Sequence, residues 1–385
     1  MSVLIICEKP SVAKTVALAL GAMEQKDGYL SGDGLLVSWC IGHLISMADA
    51  GSYDERYKKW RYEDLPILPQ TWKYAPTPGK EKQLAVLKEL LHRSDVSEVV
   101  NGCDAGREGE LIFRFVYEQA GCTKPFSRLW ISSMEDSAIR EGFAGRRAGT
   151  EYDALYQSAL CRARADWLVG INATRLFSVL YHKTLNVGRV LSPTLNLLVE
   201  RDGKITMFHK EKYHIVHIGC GGVDAESERI SDAAAADALR TACEASQAVC
   251  VSLKKEKKTA LPPKLFDLTC LQREANRVYG FTAKQTLDYA QSLYEKRFLT
   301  YPRTDSNYLT EDMAQTATDL VAALLPVLPF MQGAELTPEI GRVINSAKVS
   351  DHHAIIPTAA FAGNGFDRLP ESEKKLMSLV CCKLL

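Results

Sequence analysis

A parallel α/β sheet followed by a mostly helical chain is the fold class that this sequence predicts. Short apolar runs at residues 3–7, 98–100 and 128–131 are separated by stretches with apolar residues at helical spacing. Strand–helix–strand order of this kind favours parallel pairing. Past residue 150 the strand pattern thins and long helical stretches take over. A chain of 385 residues has the length for two or three cores.

In order, residues 3–7 read as a short buried strand. Pro10 and Ser11 open a helix through Leu20, since proline suits the first helical turn. Residues 40–75 hold Trp60 and Trp72 among prolines and glycines, an excursion from the sheet. Residues 82–93 place Leu84, Leu87 and Leu91 on one helical face. A strand at 98–100, a helix at 108–118 and a strand at 128–131 follow. Residues 152–182 read as a long helical region with a break near Gly170. On it Arg164, Ile171 and Arg175 share a face, and the arginines lie three turns apart. That spacing suits successive phosphates, and equally a solvated face. Residues 212–220 and 248–253 read as strands around an alanine-rich helix at 232–242. Residues 254–263 form a basic, proline-ended linker, and helices at 268–279 and 283–296 come next. The last stretch, 371–385, is a helix with apolar Leu376, Leu379, Val380 and Leu384. It reads as an incomplete chain, or as a helix that docks on something absent.

Composition excludes several classes. The chain has 47 Lys+Arg against 47 Asp+Glu, so any basic footprint is local. Residues 251–303 supply one, with 11 Lys+Arg against 5 Asp+Glu. The 11 cysteines are scattered without a CxxC, which argues against a zinc ribbon or a disulfide framework and fits a reducing cytoplasm. The N-terminus reads as neither a signal peptide nor a membrane span. No Walker motif is present.

Four segments carry chemistry. In Thr300-Tyr301-Pro302-Arg303-Thr304-Asp305-Ser306, Pro302 disfavours the α-helical well for Tyr301. A projecting phenol is a nucleophile for a phosphodiester, and Arg303 suits the phosphate attacked. A core tyrosine beside a surface arginine fits the same letters. Glu8 follows the first strand, and Asp104-Ala105-Gly106-Arg107-Glu108-Gly109-Glu110 follows the strand ending near residue 100. If those strands are neighbours, Glu8 and Asp104 share one sheet edge, where magnesium needs only one or two carboxylates. Lys9 there can give a proton to a leaving oxygen. The bland alternative is a set of helix-start acids without metal, with Glu108 favoured by the helix dipole. In residues 188–195, Gly188 and the N-cap Ser192 before Pro193 offer a helix start to phosphate, or an ordinary loop-to-helix junction. In Asp351-His352-His353-Ala354-Ile355-Ile356-Pro357-Thr358 the two histidines point to opposite sides of an extended chain, so at most one faces a site.

Together these motifs, with Cys7-Glu8-Lys9-Pro10-Ser11, Ala165-Asp166-Trp167-Leu168-Val169-Gly170, Asn172-Ala173-Thr174-Arg175 and Val187-Gly188-Arg189-Val190, resemble the type IA DNA topoisomerases, most closely the bacterial topoisomerase III branch. They run in that family's order across nearly the whole chain. The resemblance implies a Toprim parallel-sheet domain at 1–140, with the 40–75 excursion reaching toward the DNA-gripping part. It implies a helical DNA-binding domain at 150–210, a small α+β arch segment at 211–265 and a helical domain with the catalytic tyrosine at 266–385, all parts of a toroidal enzyme. Tyr301 matches the nucleophile, Lys9 the catalytic lysine, Arg303 the arginine on the scissile phosphate, and His352 the histidine near it. Glu8 and Asp104 match the Mg2+ positions, and Glu8 also shares the leaving-group proton. Arg175 and the loop Asn186, Val187, Gly188, Arg189, Val190 and Leu191 match positions that grip single-stranded DNA, with Trp60 and Trp167 in comparable regions and Arg303 also against the DNA.

The Toprim pattern Asp-x-Asp-x-Glu has Gly106 at its second acid, so a single magnesium is expected, with Glu108 as a supporting acid. Family chains continue further and close a ring, so an unclosed ring is expected if these residues are the whole product. The implied activity is ATP-independent, Mg-dependent cleavage and religation of one strand of negatively supercoiled DNA through a 5′-phosphotyrosine. Cations near Tyr301 are expected to favour its oxyanion. Two other readings are another Toprim enzyme, a nuclease or primase, and a non-catalytic single-stranded DNA-binding fragment. No membrane is involved, and protein partners are not legible.

Overall fold

The computed structural model describes residues 1–131, 134–331, 339–349 and 352–385. In chain order the strands and helices begin with β1 (Ser2–Cys7), α1 (Pro10–Leu20), β2 (Glu24–Lys26), β3 (Tyr29–Gly32), β4 (Leu35–Trp39), β5 (Ile45–Met47) and β6 (Tyr74–Pro76). Then come α2 (Glu81–His92), β7 (Val96–Gly102), α3 (Arg107–Gln119), β8 (Phe126–Arg128), α4 (Asp136–Ala144), β9 (Arg147–Ala148), α5 (Asp153–Leu180) and α6 (Leu191–Thr206). The remainder is β10 (His217–Cys220), β11 (Val223–Glu226), α7 (Ala233–Glu244), α8 (Leu268–Tyr279), α9 (Ala283–Glu295), α10 (Ala314–Leu324), α11 (Ala359–Asn364) and α12 (Glu371–Leu384). No described helix is long and apolar enough to cross a membrane.

The chain forms two compact units, Met1–Val187 with Pro263–Leu385, and Gly188–Pro262. In the first, a 7-stranded sheet runs β2-β3-β4-β1-β7-β8-β9. The pairs β1–β7 and β7–β8 are parallel, as the apolar runs predicted; β4 also pairs parallel with β1, and antiparallel β2, β3 and β9 finish the edges. Covered on both faces, β1 reads as a continuous apolar run, with Leu4, Ile5, Ile6 and Cys7 all buried. β1 and β7 pair Cys7 with Gly102, so the residues just beyond them, Glu8 and the 103–106 turn, emerge together at the carboxyl edge. The order of connections reverses there, with β4 on one side of β1 and β7 on the other, and such a point opens a crevice.

Three boundaries differ from the sequence reading. The strand expected at 128–131 lies at Phe126–Arg128, because pairing with β7 starts at Phe126. α5 runs through Gly170 without a break. Asn172 holds it against the excursion: its Oδ1 accepts from the Ile67 amide at 2.6 Å, and its Nδ2 donates to the Ile67 carbonyl at 3.0 Å. The last helix, read as the end of an incomplete chain or as docking on something absent, buries Leu376, Met377, Val380, Cys381 and Leu384 in one core with Leu271, Leu293 and Phe361. Leu379 of the expected face is only partly buried.

In that core, α8 is capped by Asp267, which accepts from the Cys270 amide at 2.7 Å, and α9 starts in a Thr282/Gln285 capping box. The tyrosine segment leaves α9 and is stitched to the histidine segment. The Thr300 amide donates to the Ile356 carbonyl at 3.0 Å, and Thr304 Oγ1 donates to the His352 carbonyl at 2.8 Å.

The second unit holds α6, the β10–β11 hairpin and α7. The strand expected at 248–253 has no regular structure, and β11 takes its place next to β10. The hairpin turns at Gly221-Gly222, both in the left-handed region that glycine tolerates. α6 starts at Leu191 rather than after a Ser192 cap; the Ser192 Oγ accepts from the Gly188 amide at 3.2 Å instead.

Candidate active site and nucleic-acid interface

A cleft of about 820 Å3 lies at the carboxyl edge of β1 and β7 and is closed on its far side by the tyrosine segment. It is lined by Glu8, Lys9, Asp104, Tyr301, Arg303 and His352, so residues far apart in sequence meet there. The Tyr301 hydroxyl donates to Asp104 Oδ2 at 3.0 Å. Its ring centroid lies 4.2 Å from that of His352 and 5.4 Å from that of Tyr294. Arg303 is exposed at the rim, and its Nη1 donates to Gln291 at 2.6 Å.

The electrostatics overturn one expectation. Burial, then the Asp104 charge, pushes the Tyr301 phenol well above its ordinary value, with Arg303 only partly opposing. Tyr301 is thus held as a neutral phenol facing a carboxylate, and its oxyanion is disfavoured in the cleft as it stands. The carboxylate is positioned as a proton acceptor. The Glu8 carboxyl is raised to about 7 by burial and by Asp104, with Lys9 and the Asp104 amide pulling the other way. His352 is lowered to about 4 by burial and by His353, and its Nδ1 is buried without a hydrogen-bond partner. His353 faces away and contacts the Ala354 carbonyl at 2.8 Å, as alternation along the chain predicted. Asp351 lies outside the described residues.

Two carboxyl groups on one cleft, with Glu8 raised first by burial and then by the Asp104 charge, suit a hard divalent cation that completes its shell with water. Among the described residues no group of three or more His, Cys, Asp or Glu could hold a metal. Glu8 and Asp104, which both line the cleft, are the pair available to such a cation. Glu108 lines the same cleft, with His43 Nε2 at 3.6 Å and Arg162 at 3.5 Å.

The sequence reading missed His43, Arg162 and a buried charged group under the cleft. Glu110 is 0% exposed and Arg128 1%. Glu110 and Arg114 lie at i, i+4 on a face of α3 that is otherwise apolar, and Arg128 ends a buried strand. Charge at positions where the pattern demands apolar residues was the available signal.

A second cavity, of about 690 Å3, lies between the excursion and α5 and is lined by Trp60, Arg175 and Asn186 among others. Arg175 is not on a solvated face. It is buried, donates to the Tyr57 carbonyl at 2.8 Å and lies over the Trp60 ring at 5.5 Å. Arg164 reaches Tyr74 at 3.3 Å, so the two arginines are not free to grip successive phosphates together. Trp167 does not line the cavity; its indole N–H donates to the Ala48 carbonyl at 3.0 Å, edge-on to Trp72. The Val187 amide donates to Thr174 Oγ1 at 2.9 Å. Gly188, Arg189, Val190 and Leu191 begin the second unit.

Comparison with known proteins matches this architecture. A Toprim domain model matches residues 3–134, and a model described as DNA topoisomerase matches residues 150–385. The chain belongs to the DNA topoisomerase family, on its type IA, topoisomerase III branch. DNA topoisomerase 3 of Bacillus licheniformis is 40% identical over 394 residues, which cover 99% of this chain and 54% of the relative. DNA topoisomerase 3 of Bacillus subtilis gives the same identity and shares. This topoisomerase-family chain thus spans about half the length of the curated relatives it matches. Among solved structures, full-length topoisomerase I from Thermotoga maritima is similar, with a TM-score of 0.67 and 25% identity over 99% of this chain and 60% of that one.

Proposed function

We propose that this chain carries the strand-cleaving centre of a type IA topoisomerase and acts on single-stranded regions of DNA. The observation that carries the reading is the Tyr301 hydroxyl bonded to Asp104 in a cleft shared with Glu8, Lys9, Arg303 and His352. The Tyr301 oxygen attacks a backbone phosphorus while its proton passes to Asp104. The bond from phosphorus to the 3′-oxygen breaks, leaving a 5′-phosphotyrosine. The departing 3′-oxygen takes a proton from Lys9, or from Glu8, which still holds one up to about pH 7. Arg303, on its movable side chain at the rim, and the neutral His352 meet the phosphate oxygens. Religation is the reverse, and the phosphotyrosine conserves the energy of the broken bond, so no ATP is consumed. Glu8 and Asp104 would hold magnesium, which when bound would supply positive charge beside the DNA backbone.

Trp60, Arg175 and Asn186 take a nucleotide by stacking and polar contact, a reading supported by the cavity they share. The outcome is relaxation of negative supercoils or decatenation, in the cytoplasm.

The test is a denaturing quench of the protein with labelled single-stranded oligonucleotide and magnesium. Wild type yields a covalent protein–DNA band, and Tyr301→Phe yields none while still binding the oligonucleotide. An adduct that survives in Tyr301→Phe defeats the assignment. Cleaved product with a free 5′ end favours a nuclease, and binding without any adduct favours a non-catalytic fragment.

A further inference from the structure

A buried ion pair is often no more stabilising than apolar residues of the same volume, so a fully buried arginine under a cleft calls for a separate reason. The hydrogen bonds of Arg128 supply one. Its Nη1 donates to the carbonyls of Asn101 at 3.0 Å, Cys103 at 2.7 Å and Leu129 at 3.2 Å, and to Asn101 Oδ1 at 3.2 Å. Its Nη2 donates to the Asp104 carbonyl at 2.6 Å. The Asn101 carbonyl lies near the end of β7, and the Cys103 and Asp104 carbonyls belong to the turn that carries the Asp104 carboxylate out of it.

Glu110 balances the charge. Its Oε2 lies 3.2 Å from Arg128 Nε and accepts from Asn101 Nδ2 at 2.8 Å, and its Oε1 accepts from Arg114 Nε at 2.9 Å. The first turn of α3 also approaches this main chain closely, since a Cβ on Gly109 would lie 2.1 Å from the Asp104 carbonyl oxygen. The Asp104 backbone is thus held by Arg128 and closely packed by α3, and its carboxylate accepts the Tyr301 hydroxyl bond.

We infer that Arg128 is a positioning residue for strand cleavage: its guanidinium, countered by Glu110, fixes the Asp104 main chain and so sets that carboxylate against Tyr301. The inference rests on the proposed function. Arg128, Trp130, Arg147 and Tyr152 are among the residues lining a cavity of about 500 Å3, and cutting back the buried Arg128 side chain would enlarge it enough to admit a small cation.

The experiment follows the rate of adduct formation by the whole chain, with melting temperature and oligonucleotide affinity measured alongside. Arg128→Ala is expected to lose ~100-fold in adduct rate, the scale of a small misplacement of a reacting group, with affinity unchanged. Millimolar guanidinium is expected to restore at least ~10-fold of that loss in the variant and to leave wild type unaffected. Arg128→Lys keeps the charge and loses the fork, and its rate is expected to stay ~10-fold down at a near-wild-type melting temperature. A wild-type rate in either variant overturns the inference. So does guanidinium that raises the melting temperature of Arg128→Ala without raising its rate. If Arg128→Ala does not fold, Arg128→Lys decides.

A wild-type chain that forms no adduct defeats the proposed function instead. The positioning claim then passes to the ring resonance of isotopically labelled Tyr301. Arg128→Lys must shift that resonance in the direction that Asp104→Asn does, and an unmoved resonance overturns the inference.

Discussion

Replacing Glu8 with glutamine tests how much unfavourable charge the metal-free cleft stores. Burial is the largest cause that moves this carboxyl from 4.5 to about 7, repulsion from Asp104 the second, and Lys9 and Arg303 oppose them. Between those two midpoints the native chain holds a proton that the unfolded chain has lost, so native stability falls as pH rises. The contribution is fully present below 4.5 and is lost as pH rises through about 7. At 1.36 kcal/mol per pH unit, the displacement from 4.5 to about 7 amounts to about 3 kcal/mol. Urea unfolding in chelator, followed by circular dichroism, compares wild type with Glu8→Gln at about pH 4.5 and about pH 8. Wild type is expected to lose about 3 kcal/mol relative to the variant across that window. Parallel curves for the two proteins, or a wild type that gains relative stability as pH rises, would refute the reasoning. Magnesium added at the alkaline end is expected to stabilise wild type and to leave Glu8→Gln nearly unchanged, because a metal that binds only the native state adds to its stability.

Further expectations concern single groups. Asp104→Asn removes the acceptor of the Tyr301 proton, and the quench assay should show adduct formation slowed by ~10²- to 10⁴-fold with oligonucleotide affinity retained; an unchanged rate separates Asp104 from the proton step. Gly109→Ala forces a methyl group to within 2.1 Å of the Asp104 carbonyl, well inside contact distance. It should cost at least about 1–3 kcal/mol in urea unfolding, and a neutral variant contradicts the tight turn. His352, lowered to about 4 by burial and then by His353, should keep neutral-imidazole nitrogen shifts down through about pH 6 by NMR; a midpoint near the ordinary histidine value contradicts its burial.

Much of the first domain was legible because periodicity reports burial directly. The continuous apolar run of β1 and the helical spacing of α2 were readable without knowing what they pack on. The pairing of β1 with β7 was the one long-range assumption, and it brought Glu8 and Asp104 together as expected. Helix boundaries were readable where capping chemistry is local, as at Thr282 and Gly280. Signals that depend on distant partners failed. Gly170 did not break α5, because Asn172 and the excursion anchor that stretch from outside the helix. Ser192 did not cap α6, because its hydroxyl has another amide to satisfy.

By itself the sequence determined which residue types were available and in what order: a tyrosine barred from helix by Pro302, two carboxylates at strand ends, a lysine and a pair of histidines. Tertiary structure alone decided what surrounds them. Folding buries Tyr301 against Asp104 and so holds the phenol neutral, where the sequence reading had placed cations beside an oxyanion. It turns Arg175 from a surface cation into a buried donor over Trp60, and it places Arg128 beneath Asp104. The physical reason is the same in each case: desolvation and the distance between charges depend on segments separate in sequence, and only the folded chain sets them.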